Sequence, residues 1–185
     1  MPSWKIIKQK YLEKNDWIAL RKDSCETSTG KKIDDYYVLE MQDVSCVVAI
    51  TKKKTILFVK EYKHGVQKEI IQLPCGYVDM HNDKKEDILF AAQRELQEET
   101  GYTSKKWTPL GSFAGSPGRL THYYHLFLAE ECEKTSEQHL DDFETLNVVE
   151  YTKEQAEEEL KKQATDIVTP LGFLMAKEKW KREND

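Results

Sequence analysis

Long apolar runs are missing from this 185-residue chain. The longest, Val44 to Ile50, is far too short for a bilayer span, which takes about 20 residues. Met1-Pro2-Ser3-Trp4-Lys5 lacks the apolar core of a secretory signal, so no membrane partner is expected. Cysteine is sparse as well. Cys25, Cys46, Cys75 and Cys132 are scattered with no Cys-x-x-Cys spacing, which argues against a zinc site or a disulfide framework and for reduced thiols in a cytoplasmic protein. Nor is there an excess of positive charge: the formal net charge is −5, which argues against nucleic acid as a partner. The densest basic run, Lys52-Lys53-Lys54, sits between two apolar strands as a solvated hairpin turn. No internal repeat or low-complexity segment is present. The length suffices for one full core with a small appended element.

What is present is strand patterning on both sides of one helix. Residues 3–12 and 15–22 alternate apolar and polar side chains around Trp4, Ile6, Trp17 and Ala19, and Asp34 to Met41 is a further strand. Residues 1–42 therefore read as a small antiparallel sheet with too few apolar residues to be stable alone, and 43–185 as the main domain. There, Val44–Thr51 and Thr55–Tyr62 pair across the lysine turn, Glu69–Leu73 ends at Pro74, and Trp107–Phe113, His122–Ala129 and Asn147–Tyr151 are strands. Thr152 and Gln155 form a capping box for a helix to about Lys162, and Thr169 caps a last helix with Pro170 in its first position. This order predicts an α+β fold, an αβα sandwich around a mixed sheet.

The helix before Gly101 carries Ile88, Leu89, Ala92 and Leu96 at helical spacing, with Asp83 and Glu86 spaced as an acidic capping box and Gly101 as its stop. Glu95, Glu98 and Glu99 fan over roughly a 100° arc bordering that apolar stripe. Like charges at such spacing repel, and a hard cation such as Mg²⁺ or Mn²⁺ reverses the penalty. A solvated acidic face is the alternative.

From Glu86 the chain reads seven residues, then Arg-Glu-Leu-x-Glu-Glu-x-Gly-Tyr to Tyr102, behind a Pro74-Cys75-Gly76 turn. This resembles the signature of the Nudix hydrolases, which cleave nucleoside diphosphates linked to another group. The family's spacing from first glycine to first glutamate is shorter; here extra residues fall within Met80–Lys85, a loop insertion that leaves the helix intact. Pro117, fifteen residues after Tyr102, together with Ser116-Pro117-Gly118 and Leu73-Pro74-Cys75-Gly76, is similar to the ADP-ribose pyrophosphatase-like branch.

The resemblance implies an enzyme using two or three Mg²⁺ or Mn²⁺ ions, held by Glu95, Glu98, Glu99 and the Cys75 backbone carbonyl. Arg94 would orient the carboxylates. Glu144, in the acidic loop Asp141-Asp142-Phe143-Glu144, would be the general base. Lys63, Pro117 and Arg119 would meet the substrate. Trp17, Tyr36 and Tyr37 fall where the branch stacks aromatics on a nucleobase; packing in the sheet core is the other reading for each. His122 and His125 face opposite sides of a strand, so they cannot share a metal, and His125 is expected to be packed or hydrogen-bonded. The branch also implies a homodimer built through the N-terminal sheet. Hydrolysis of a nucleoside diphosphate sugar, ADP-ribose first, is the expected function. A GDP-sugar, UDP-sugar or dinucleoside polyphosphate is an alternative substrate, and a non-catalytic ADP-ribose-binding module is the rival from another class.

Overall fold

Three antiparallel strands open the chain, β1 (Lys5–Lys14), β2 (Ile18–Glu26) and β3 (Lys32–Met41), in the order β1-β2-β3. The computed structural model describes residues 3–81 and 84–182, which fall into two compact units. The first runs to Asp43 and takes in the excursion Phe113–Tyr123, where Leu39 N–H donates to the Arg119 carbonyl at 2.9 Å. As its composition requires, this sheet has little core. Ala19 and Cys25 are buried, but β1 is exposed along its length, with Ile6, Ile7, Tyr11 and Leu12 open to solvent. The alternation around Trp4, Ile6 and Trp17 thus does not mark an inward face. A buried Asp23 is held by Arg21 at 2.9 Å, and Arg21 also pairs with Glu40.

The second unit comprises Val44–Ser112 and Tyr124–Asp185. Its strands are β4 (Val44–Thr51), β5 (Ile56–Lys63), β6 (Lys68–Gln72), β7 (Cys75–Tyr77), β8 (Met80–His81), β9 (Lys84–Lys85), β10 (Tyr102–Thr103), β11 (Lys106–Ala114), β12 (Tyr123–Lys134) and β13 (Leu146–Tyr151), the ends of β11 and β12 reaching into the first unit. Its helices are α1 (Ile88–Thr100), α2 (Lys153–Lys162) and α3 (Val168–Arg182). The main sheet runs β10-β12-β4-β5-β13, with β11 on β12, β6 on β5 and β7 on β4. β4 and β12 are parallel and β4 and β5 antiparallel, so the sheet is mixed.

Apart from Ser45 and Thr51, β4 is apolar because both its faces are covered. Successive side chains point to opposite faces. Val47 and Ala49 pack with Ala92 and Leu96 of α1, whereas Val48 and Leu126 meet Gly172 of α3 on the other side. The unit is therefore an αβα sandwich, as expected. Each such buried Val or Leu stabilises it by about 1.5–3 kcal/mol. The lysine turn is also as expected, closed by Thr51 N–H to the Thr55 carbonyl at 2.9 Å.

Helix ends differ in part from their expected positions. The Thr152–Gln155 capping box forms, and Gly101 ends α1 at φ 75° with its N–H on Gln97 O. The start of α1 is capped instead by Asp87, whose side chain accepts Phe90 N–H at 2.9 Å. Asp83 lies outside the described residues, and Glu86 is drawn away by a tertiary ion pair described below. α3 starts one residue before Thr169. Asp166 accepts the Thr169 N–H at 2.7 Å, while the Thr169 hydroxyl accepts Leu73 N–H at 3.0 Å. The extra residues before Glu86 include the paired strands β8 and β9.

Candidate active site

α1 forms because Ala91, Ala92 and Leu96 bury one stripe and Asp87 and Gly101 satisfy its ends. The stripe sets the helix's rotation, and that rotation aims Glu95 and Glu99 at β7. Glu99 does not merely border the stripe: it is buried, and its Oε2 accepts Cys75 N–H at 2.9 Å. Gly76 leaves room for the next carboxylate, since a Cβ built there would stand 2.0 Å from Glu95 Cδ. No other residue type fits without displacing Glu95.

Arg94 ties the cluster together. Its Nε and Nη2 donate to the two Glu86 oxygens at 3.2 and 3.1 Å, and Nη2 also reaches Tyr77 O at 3.0 Å. Its Nη1 bridges Glu95 at 2.7 Å and Glu98 at 3.0 Å. Burial opposes the guanidinium's charge, but the hydrogen bond to Glu86 and the field of Glu95 more than offset it and hold its pKa above the ordinary value. Glu86 Oε2 also accepts Asp79 N–H at 3.1 Å, which fixes the segment entering the helix. Three carboxylates thus share one forked cation, with a fourth, Asp79, at 3.7 Å, an arrangement that suits Arg rather than Lys. Despite the insertion, Glu86 still meets Arg94 and Gly76 still lies against Glu95.

Burial lifts the Glu95 carboxyl to about 7 against the pull of Arg94, with Glu98 and Glu144 adding to the rise. Burial, then the neighbouring Cys75 and Glu95, push Glu99 well above the carboxylate range, and Glu144 adds there too. Glu144 is exposed, in a turn closed by its N–H to Asp141 O at 2.9 Å, and its charge is felt by both helix carboxylates. Lys63 pairs with Glu61 at 2.6 Å. Burial works against its charge, but Glu61, Cys75 and Glu99 raise it overall. Glu61 was not legible as a site residue, because nothing in its spacing sets it apart on β5. The buried Gln72 reaches the same Glu61 oxygen at 3.5 Å.

Among the described residues no three His, Cys, Asp or Glu side chains converge to hold an ion as they lie; Arg94 Nη1 stands between Glu95 and Glu98 instead. The donors nevertheless fit a hard divalent cation. They are carboxylate oxygens, Glu99 buried and Glu95 half-buried where a negative charge is costly, and an opposite charge relieves that cost.

A pH dependence follows. A carboxyl whose folded pKa is raised contributes stability that is fully present below its unfolded value, near 4.5, and lost as pH rises through about 7. In chelator, Glu95→Gln should therefore be the more stable protein at pH 8, by about 3 kcal/mol. The advantage should vanish near pH 4. A constant difference in unfolding midpoint across that range would mean that Arg94 already neutralises Glu95.

In the first unit the structure gathers a different set. Arg119 lies over the Tyr36 ring, 4.3 Å from its centroid, and its Nη1 donates to Tyr37 O at 3.1 Å. The Tyr36 hydroxyl donates to Gly118 O, beside Pro117, and Trp4 meets Tyr36 edge-on at 5.6 Å. Tyr37 is 43% exposed and Trp17 70% exposed, which rules out a core role for either within the chain. In the second unit, His125 is hydrogen-bonded to Ser112 Oγ at 2.7 Å, as expected. Among the described residues no helix is long and apolar enough to cross a membrane.

The NUDIX domain family matches residues 40–171, and the nucleoside diphosphate sugar hydrolase N-terminal domain family matches residues 4–39. An ADP-ribose pyrophosphatase of Bacillus subtilis is 39% identical over 111 residues, 60% of this chain and 58% of that protein. The match thus spans less than two thirds of that relative's length. The methanol dehydrogenase activator of Bacillus methanolicus is 32% identical over 153 residues, 82% of this chain and 80% of that one. A crystal structure of an ADP compounds hydrolase superposes with a TM-score of 0.81 at 18% identity, covering 97% of this chain and 95% of the other, a likeness of fold.

Proposed function

The chain belongs to the NUDIX domain family, and on that premise we propose that it hydrolyses the diphosphate of a nucleoside diphosphate sugar, ADP-ribose foremost. The observation that carries this reading is the buried Glu99, bonded to Cys75 N–H of the β7 turn, beside the half-buried Glu95 that Arg94 holds. A signature that survived only as a fold relic, in a binding module, would not need to maintain two such costly carboxylates. The likeness to the Bacillus subtilis ADP-ribose pyrophosphatase and the N-terminal domain match support the substrate class.

Glu95, Glu98, Glu99 and the Cys75 carbonyl would hold divalent ions, Mg²⁺ or Mn²⁺, two or three to a site. When bound, such ions neutralise diphosphate charge and acidify water. Arg94 keeps Glu95 and Glu98 oriented. Glu144 takes the proton of the attacking water. Lys63 neutralises charge on the diphosphate. With ADP-ribose the products are AMP and ribose 5-phosphate. Trp17, Tyr36 and Tyr37 grip the base, with Pro117 and Arg119 shaping the loop beside them. The apolar side chains open to solvent on β1 support a homodimer, because an uncovered apolar edge strand is a ready pairing surface.

Purified protein assayed with Mg²⁺ against ADP-ribose, GDP- and UDP-sugars and dinucleoside polyphosphates, with products identified, tests the reading. Turnover is expected to be highest with ADP-ribose, and tight binding without any products would replace hydrolysis by sensing. Trp17→Ala should weaken substrate binding by about 1–3 kcal/mol, the worth of one stacked base, with the unfolding midpoint and kcat little changed. An unchanged KM would remove Trp17 from the base site. A monomer by sedimentation at assay concentration would remove the dimer.

A further inference from the structure

Cys46 and Cys75 stand directly opposite each other on the antiparallel strands β4 and β7. Val47 N–H donates to Pro74 O at 2.9 Å, which makes the neighbouring Val47 and Pro74 a hydrogen-bonded pair. Pairs alternate along an antiparallel ladder, so Cys46 and Cys75 are a non-hydrogen-bonded pair, with Cα atoms about 4.5 Å apart and side chains on one face. In keeping with that, Cys75 N–H points away from β4, to Glu99. A disulfide spans Cα separations of about 4.4–6.8 Å, a range that a non-hydrogen-bonded pair meets. Both remain free thiols here.

We propose that Cys46 and Cys75 are a redox modification site, which hydrogen peroxide converts to a cross-strand disulfide that switches the neighbouring carboxylate site off. One sulfur attacks the peroxide, takes up an oxygen as sulfenic acid and releases water. The second sulfur then displaces that oxygen, which leaves as a second water. The two thiols lose two protons and two electrons, and the peroxide is reduced. Reduction by a dithiol reverses the change.

The switch follows from geometry and rests on the hydrolase reading above. Opposed Cβ atoms in a sheet stand about 4.5–5.5 Å apart, whereas a disulfide holds them near 3.8 Å. Closing the bond therefore draws Cys75 toward β4. Its N–H is the donor to Glu99, and Gly76, next in the chain, lies against Glu95. Displacements near 1 Å at reacting groups cost about a hundredfold in rate.

The test treats the full-length protein with hydrogen peroxide, alkylates remaining thiols and maps peptides by mass without reduction. The expected result is one peptide pair joining Cys46 to Cys75, with turnover down by about tenfold or more and restored by dithiothreitol. Cys46→Ala should form no such pair and keep its turnover under the same treatment. Absence of the Cys46–Cys75 peptide overturns the proposal, as does inactivation of Cys46→Ala at the wild-type rate. A crosslink that leaves turnover unchanged overturns the switch. Because the crosslink is read by mass, a protein that hydrolyses none of the nucleotides tested still decides whether the site exists, and that failure counts against the hydrolase reading alone.

Discussion

Glu99→Gln should lower turnover by about a hundred- to a thousandfold while the protein stays folded. The amide retains the oxygen that accepts Cys75 N–H and adds no bulk, so the contact between α1 and β7 survives. What disappears is a negative charge, one that burial and its neighbours already disfavour. The unfolding midpoint in chelator should therefore stay level or rise. Turnover should collapse, because a neutral amide would serve the Cys75 contact equally well, so the costly carboxylate is held for what it binds. Removal of one preorganised group that stabilises transition-state charge costs about 3–4 kcal/mol in enzyme sites, hence the expected factor. Retention of more than about a tenth of wild-type turnover, a loss under ~1.4 kcal/mol, would remove Glu99 from the reaction. A fall in midpoint would instead mean that the carboxylate's main part is to hold β7.

Glu144→Gln is the second large effect, expected to cut kcat by about 10²–10⁴, the range of a general base, with KM little changed. The loop 141–144 offers three carboxylates. Glu144 is singled out because its charge reaches both Glu95 and Glu99, whereas its own contacts are local. Among the described residues its N–H and Oε2 bond to Asp141, at 2.9 and 3.3 Å, and a glutamine keeps both bonds. Stability should not move. If Glu144→Gln keeps full activity and Asp141→Asn or Asp142→Asn loses it, the base is a neighbour on the same turn.

The loop's approach to α1 has a visible cause. The C-terminal carbonyls of that helix are taken up by the chain leading to the loop: Gly101 O accepts Thr135 and Ser136 N–H, Glu98 O accepts His139 N–H, and Glu99 O accepts Gln138 Nε2. A helix must satisfy these orphan groups somehow, and here doing so anchors the segment that carries Glu144.

Local signals in the sequence determined much of this protein. Apolar spacing places α1, a left-handed glycine ends it, the Thr152–Gln155 box starts α2, and a nearly apolar β4 announces a strand covered on both faces. Glu95, Glu98 and Glu99 were legible because helical periodicity alone puts them on one side. Each depends on neighbours within a turn or two. The tertiary structure decided the rest. Glu86 leaves its expected cap for a bidentate pair with Arg94, Glu99 sinks against Cys75 twenty-four residues away, and Glu144 faces the helix from forty-five residues beyond. Trp17 proves open to solvent, since alternation in a strand tells which residues share a face but not whether anything covers it. Nor does any pattern in the chain pair Cys46 with Cys75. Their opposition is fixed by the β4–β7 register, and register is set by hydrogen bonds between strands that share no local periodicity.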